Sequence, residues 1–184
     1  VSADHPVTLA TEIELDPWQR EALANWATNA HRGVIEAIAG AREKKLVHWA
    51  IGQALDEGMK VLVLVPNADR AEQWTAELRE ALPINRIGKR NGGKDPQLAA
   101  CDVVVATAQA AAKDEIFTRP LNAMLVAVDA HAYGTADLAR ALDTGFAWRL
   151  GISACYERDD DGIATYLDPY FGDVCFRLWY DRAL

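Results

Sequence analysis

Cysteine is scarce in this 184-residue sequence: Cys101, Cys155 and Cys175 are the only three, odd in number, widely spaced and without a CxxC pair. That argues against a disulfide framework and a zinc ribbon, and fits a reducing, cytosolic setting. Long apolar runs are missing too. No stretch approaches the ~18 apolar residues that span a bilayer, and the first residues lack a basic segment followed by an apolar one, so no membrane partner is expected. Basic side chains are outnumbered, 19 against 27 acidic, for a net charge of −8. This excludes a generic nucleic-acid-coating surface while leaving room for a local basic groove. Metal-ligand spacing is absent as well: His5, His31 and His48 stand beside no second ligand type, and neither a metal nor another cofactor is expected. Asp159-Asp160-Asp161-Gly162 begins like a calcium loop but lacks the later ligands and closing Glu, so it reads as a solvated turn.

What the sequence does have is apolar content, 51% of residues, enough for one compact domain with a sizeable core. Residues 34–39, 60–66, 102–107, 124–129 and 149–154 are short runs of Val, Ile, Leu and Ala, apolar on both faces as buried parallel strands are. Helical spacing lies between them. Residues 18–31 follow Asp16-Pro17 and place Leu23, Trp26 and Ala27 on one face; residues 45–57 stop at Gly58; residues 68–82 carry Ala71, Trp74 and Leu78 on one side and stop at Pro83. The alternation predicts a single α/β domain over residues 1–184 with a mainly parallel central sheet between helices. Sites in such sheets form at the carboxyl ends of the strands. The basic run from Arg86 to Lys94 reads as a solvated loop, and Cys101 and Cys175 as core or near-core thiols.

The segment from Ala37 to Leu46, AIAGAREKKL, stands where a strand meets a helix, the place of a phosphate-binding loop. With it, in order, come LDPWQREAL (Leu15 to Leu23), VLVLVPNADRAEQW (Val61 to Trp74), VVVATAQ (Val103 to Gln109), LVAVDAHAYG (Leu125 to Gly134) and LGISACYERDDDG (Leu150 to Gly162). This order resembles the first RecA-like domain of superfamily 2 helicases and translocases, over nearly the whole chain. The resemblance implies a RecA-like three-layer sandwich, adenine reading by Gln19, and weak single-stranded nucleic-acid contacts at Asn67, Arg70, Thr107 and Gln109. It also implies a second motor domain that this sequence does not contain, and hence a monomer without translocation of its own.

The departures fall on the chemistry. Gly40 and Ala41 keep the loop, but Arg42, Glu43 and Lys44 stand where the family has Gly-Lys-Thr, whose amides wrap phosphate while Lys neutralises it and the hydroxyl binds magnesium. Val128 and Asp129 replace the Asp-Glu pair that holds magnesium and orients water, His131 is retained, and Ala132 falls where a larger residue is usual. Cys155 takes the Thr position of Ser-Ala-Thr, after Ser153. Loss of the metal's anchors predicts no useful ATPase activity.

Because the resemblance brings the last two motifs together, Cys155 and His131 are expected to converge as nucleophile and base acting on an activated ester, with a small molecule as substrate. Clustering of the changes in one pocket reads as remodelling, by selection or by design, rather than scattered decay. For Glu43 two arrangements remain: an ion pair with Arg42 in the emptied phosphate site, or a carboxylate orienting His131.

Overall fold

A computed structural model describes residues 13–38, 42–83, 85–90, 101–113, 122–156 and 162–178. The strands are β1 (Arg32–Ala37), β2 (Lys60–Val65), β3 (Ile87–Arg90), β4 (Val103–Thr107), β5 (Ala123–Val128), β6 (Trp148–Ser153) and β7 (Val174–Leu178). Every pairing is parallel, in the order β3-β4-β2-β5-β6-β1-β7. The helices are α1 (Pro17–Thr28), α2 (Glu43–Asp56), α3 (Ala68–Ala81), α4 (Ala108–Lys113), α5 (Ala136–Ala139) and α6 (Asp168–Phe171), with a 3-10 turn at Ala130–Tyr133 and a π turn at Ile163–Leu167.

Strand periodicity divides the core in two. Val61, Val63 and Val65 pack with Trp26, Leu46, Ile51 and Trp74 of α1 to α3 on one face. Leu62 and Leu64 turn the other way, toward Ala108, Tyr133 and Phe171. Successive residues of a strand point to opposite faces, and both faces are covered, which is why these strands carry almost no polar residue. The architecture is the three-layer α/β sandwich expected from the sequence.

Several boundaries differ from the expectation. The sequence places 87–90 in a solvated loop, but these residues form edge strand β3, with Arg90 buried at 8% exposure. Helix α1 ends at Thr28, and Ala30 and His31 take left-handed φ values of 55° and 57°. Ala27 is exposed, and Ala22 joins Leu23 and Trp26 in the core instead. Strand β5 stops at Val128, because Asp129 turns left-handed at φ 55° and opens the 3-10 turn carrying His131. The Asp159-Asp160-Asp161 turn and His5 lie outside the described residues.

A buried guanidinium fastens the end of the sheet opposite the phosphate loop. Arg149, 7% exposed, donates to the carbonyls of Phe146 (3.0 Å), Thr144 (2.7 Å) and Tyr170 (2.8 Å) and lies over the Tyr170 ring. Burial pulls its pKa below the usual arginine value, with Tyr170 and Asp143 opposing.

Candidate nucleotide and nucleic-acid site

The carboxyl ends of β1, β2, β4, β5 and β6 lie side by side because the register puts them there. Val65 pairs with Thr107, bringing the loops after β2 and β4 together. Val128 pairs with Ile152, which does the same for the loops after β5 and β6. Glu36 of β1 pairs with Ser153 of β6, which sets the end of β1 in the same row.

In the phosphate-loop region Gly40 and Ala41 lie outside the described residues. Arg42 sits at φ 59°, ψ 34°, in the left-handed region. The backbone here therefore does ask for the freedom that glycine has and arginine lacks, at a cost of about 1 kcal/mol. Gln19, wholly buried, holds this position. Its amide nitrogen donates to the Arg42 carbonyl at 2.9 Å, and its Oε1 accepts from the Asp16 amide at 2.8 Å. One side chain thus joins the start of α1 to the start of α2.

Glu43 is the first residue of α2 and puts a negative charge at the helix end where phosphate would bind. Among the described residues it forms no ion pair with Arg42 and no bond to His131, so neither arrangement left open for it is present. Lys44 turns to α3. Its ammonium is 2.7 Å from the Glu77 carboxylate and 5.9 Å from the centre of the Trp74 ring. Beside this pair, His48 meets Trp74 edge to face at 5.8 Å, and burial lowers the His48 pKa against the opposing pull of Glu77.

At the end of β5 the magnesium position is occupied by Val128, an apolar residue at 7% exposure whose carbonyl accepts from the Tyr133 hydroxyl at 2.9 Å. Asp129 is the only carboxylate of that motif. Burial and then the charge of Asp129 raise the Tyr133 pKa well above its usual value. Among the described residues no group of three or more His, Cys, Asp or Glu is placed to hold a metal ion.

His131 takes Ser153 Oγ as its hydrogen-bond partner, Nδ1 to Oγ 2.8 Å. Ser153, 1% exposed, also accepts from the Cys155 amide at 3.2 Å. Ser153 thus links the loops of His131 and Cys155, and the atom bonded to the imidazole Nδ1 is the serine oxygen. Cys155 itself is exposed. Ala132, next to His131 in the 3-10 turn, is half-buried.

Sequence reasoning passed over Glu36. Its Oε1 accepts from the Tyr156 amide and its Oε2 from Arg177 Nε, each at 3.0 Å, so one carboxylate ties the loop after β6 to edge strand β7. The available signal was a lone Glu inside the otherwise apolar run of β1. Of the residues expected to touch nucleic acid, Asn67, Arg70 and Gln109 are exposed, while Thr107 is 6% exposed. Asn67 caps α3 by accepting from the Arg70 amide at 3.0 Å, and Thr107 Oγ1 accepts from the Ala110 amide at 3.4 Å.

Residues 12–158 match the family described as "Type III restriction enzyme, res subunit". The chain belongs to this family. A "Putative DNA 3'-5' helicase Rad25" from Halobacterium salinarum is 26% identical over 166 residues, covering 88% of the chain and 26% of that protein. The chain thus spans about a quarter of the length of this curated relative. The Pyrococcus furiosus Hef helicase domain superposes with a TM-score of 0.71 at 19% identity, covering 93% of this chain and 39% of that one. The type ISP restriction-modification enzyme LlaGI gives 0.65 at 16% identity, covering 92% and 20%; the Sulfolobus solfataricus SWI2/SNF2 ATPase core gives 0.61 at 13%, covering 77% and 32%. The fold of this res-subunit family member is the RecA-like domain of superfamily 2 helicases. No helix among its described residues is long and apolar enough to cross a membrane.

Proposed function

We propose that this chain is a helicase-type RecA-like domain that engages single-stranded nucleic acid weakly and does not turn over nucleotide. The observation that carries the reading is the charge at the head of α2: Glu43 stands there, while its neighbour Lys44 is paired with Glu77 on α3. A polyphosphate entering the loop would meet a carboxylate at the helix N-terminus, and a magnesium ion would find Val128 in place of its carboxylate.

Hydrolysis of an activated ester by Cys155 with His131 as base is less well supported, because the imidazole is bonded to Ser153. Nucleic-acid engagement is favoured by the side-by-side loops after β2 and β4, which expose Asn67, Arg70 and Gln109. Two of the structural neighbours, the SWI2/SNF2 core and LlaGI, were solved with dsDNA and with a DNA substrate mimic.

Only Arg70 among these contacts is cationic, and the net charge of −8 opposes approach of a polyanion. Affinity should therefore be weak and its salt dependence shallow, with a log–log slope near about −1. Fluorescence anisotropy with a labelled single-stranded oligonucleotide, titrated at two salt concentrations, tests this. Binding that weakens with salt and is lost in Arg70→Ala agrees with the proposal; no binding at low salt contradicts it.

A further inference from the structure

A cavity of about 250 Å³ lies at the opposite end of the sheet from the nucleotide loops, where β1 and β6 begin and α1 and α2 run alongside one another. It is lined by Trp49, Trp148, His31 and Leu23, together with the exposed Arg20 and the half-buried Gln53. Small-ligand sites are concave, mainly apolar and carry a few placed polar groups, usually at about 300–1,000 Å³. This one, at about 250 Å³, is slightly smaller than that range, a size for one or two rings.

The aromatic wall is built before any ligand arrives. His31 stacks on Trp148 with ring centres 3.9 Å apart and planes 8° from parallel. Trp26 meets both edge-on, at 4.8 Å and 5.6 Å, and its indole N–H is fixed on the Arg149 carbonyl at 3.0 Å. The His31 backbone is held on both sides, its amide on Trp26 O at 3.0 Å and its carbonyl by the Arg149 amide at 2.8 Å.

Two successive residues without glycine's freedom, Ala30 and His31, take left-handed φ to place that ring. Such conformations persist only where surrounding contacts over-determine them, and they cluster at sites that need a group held still. A wall ordered in advance reduces the ordering cost of binding. Burial lowers the His31 pKa, with Glu57 opposing, so the stacked imidazole is neutral near pH 7.

Arg20 and Gln53 supply the polar selection. Arg20 is exposed on α1 and forms no ion pair among the described residues, and the Gln53 side chain is likewise unbonded there. The Arg20 guanidinium places a positive charge at a cavity whose His31 wall also feels the Glu57 carboxylate. Its planar fork matches a carboxylate, whereas a cationic ligand would meet like charge.

We propose that this cavity binds a planar aromatic carboxylate, its ring against Trp49 and Trp148 and its carboxylate on Arg20. The site is separate from the nucleotide loops and does not depend on the function proposed above. Calorimetric titration of the whole chain with 2-naphthoate, 2-naphthylmethanol and 2-naphthylmethylammonium tests it, with far-ultraviolet circular dichroism confirming that each variant folds.

Saturable binding is expected, with naphthoate at least about threefold tighter than the alcohol and the ammonium weakest. Arg20→Gln, an exposed change, should bring naphthoate down to the alcohol's affinity. Trp49→Ala should weaken both by roughly tenfold. Mg·ATP should displace neither. Lack of saturation by all three probes, equal binding of all three, or naphthoate affinity unchanged in both variants would overturn the assignment.

Discussion

The Lys44 ammonium lies 2.7 Å from the Glu77 carboxylate, binding the first turn of α2 to the middle of α3. Lys44 is the second residue of α2, so the contact turns a cation at the start of that helix toward α3. Both side chains are about a third exposed, at 32% and 30%, and solvent screens the pair. A double-mutant cycle with Lys44→Met and Glu77→Gln should give a coupling of about 0.5–1 kcal/mol, shrinking as salt is raised. A coupling near zero at low salt would show that the pair is not formed in solution.

His48 makes stability depend on pH. Its imidazole is packed against Trp74, and its pKa is lowered from 6.5 chiefly by burial. The unfolded chain then takes a proton that the folded chain declines. Stability should be greatest above about pH 6.5, fall as pH drops below that value, and level off below the folded-state pKa. Urea midpoints measured from about pH 8 to about pH 5 should decline in the parent chain, and less steeply in His48→Phe. His31, lowered in the same direction, adds to the slope.

Glu36 serves two donors, the Tyr156 amide and the Arg177 guanidinium. Glu36→Ala leaves both without this carboxylate at the junction of β1, β7 and the loop after β6. The expected loss is about 2 kcal/mol in urea unfolding, with Glu36→Gln recovering part of it. A neutral Glu36→Ala would mean that the bridge adds nothing to the fold.

The thiols should differ sharply in reactivity. Cys175 donates from Sγ to the Val34 carbonyl at 3.3 Å, and burial pushes its thiol up to about 11. Cys155 is exposed. Iodoacetamide at neutral pH should modify Cys155 faster than Cys175 by on the order of a hundredfold. Peptide mapping after timed quenching reads the ratio, and equal rates would contradict the packing described around β7.

The middle of the sheet was legible because a buried parallel strand is mainly apolar on both faces, and β1, β2, β4, β5 and β6 follow that pattern apart from residues at their ends and from Glu36 and Arg149. The edges were not. Strand β3 reads Ile-Gly-Lys-Arg, and its Lys89 pairs with Glu72 of α3, so a charged sequence is compatible with an edge position that periodicity alone assigns to a loop. Strand β7 carries Arg177, whose charge is met by Glu36 far away in the chain.

The candidate site was legible as a set of loops, since strand order and register bring their ends together. Which side chain meets His131 depended on where β6 ends. Ser153 is its last residue and points inward, and Cys155, two residues later, has left the strand and faces outward. The left-handed position of Arg42 was foreseeable from the glycine it replaces; its anchoring by Gln19 was not, because that bond links residues 23 apart.

The central claim is that the frame of a nucleotide site persists while the groups that hold phosphate and metal are gone. Its most direct test is binding of a fluorescent ATP analogue with magnesium to the parent chain and to one variant carrying Arg42→Gly, Glu43→Lys, Lys44→Thr, Val128→Asp and Asp129→Glu together. No saturable binding by the parent, and a gain of at least about tenfold in affinity in the variant, is the predicted result. Parent affinity equal to the variant's would contradict the account.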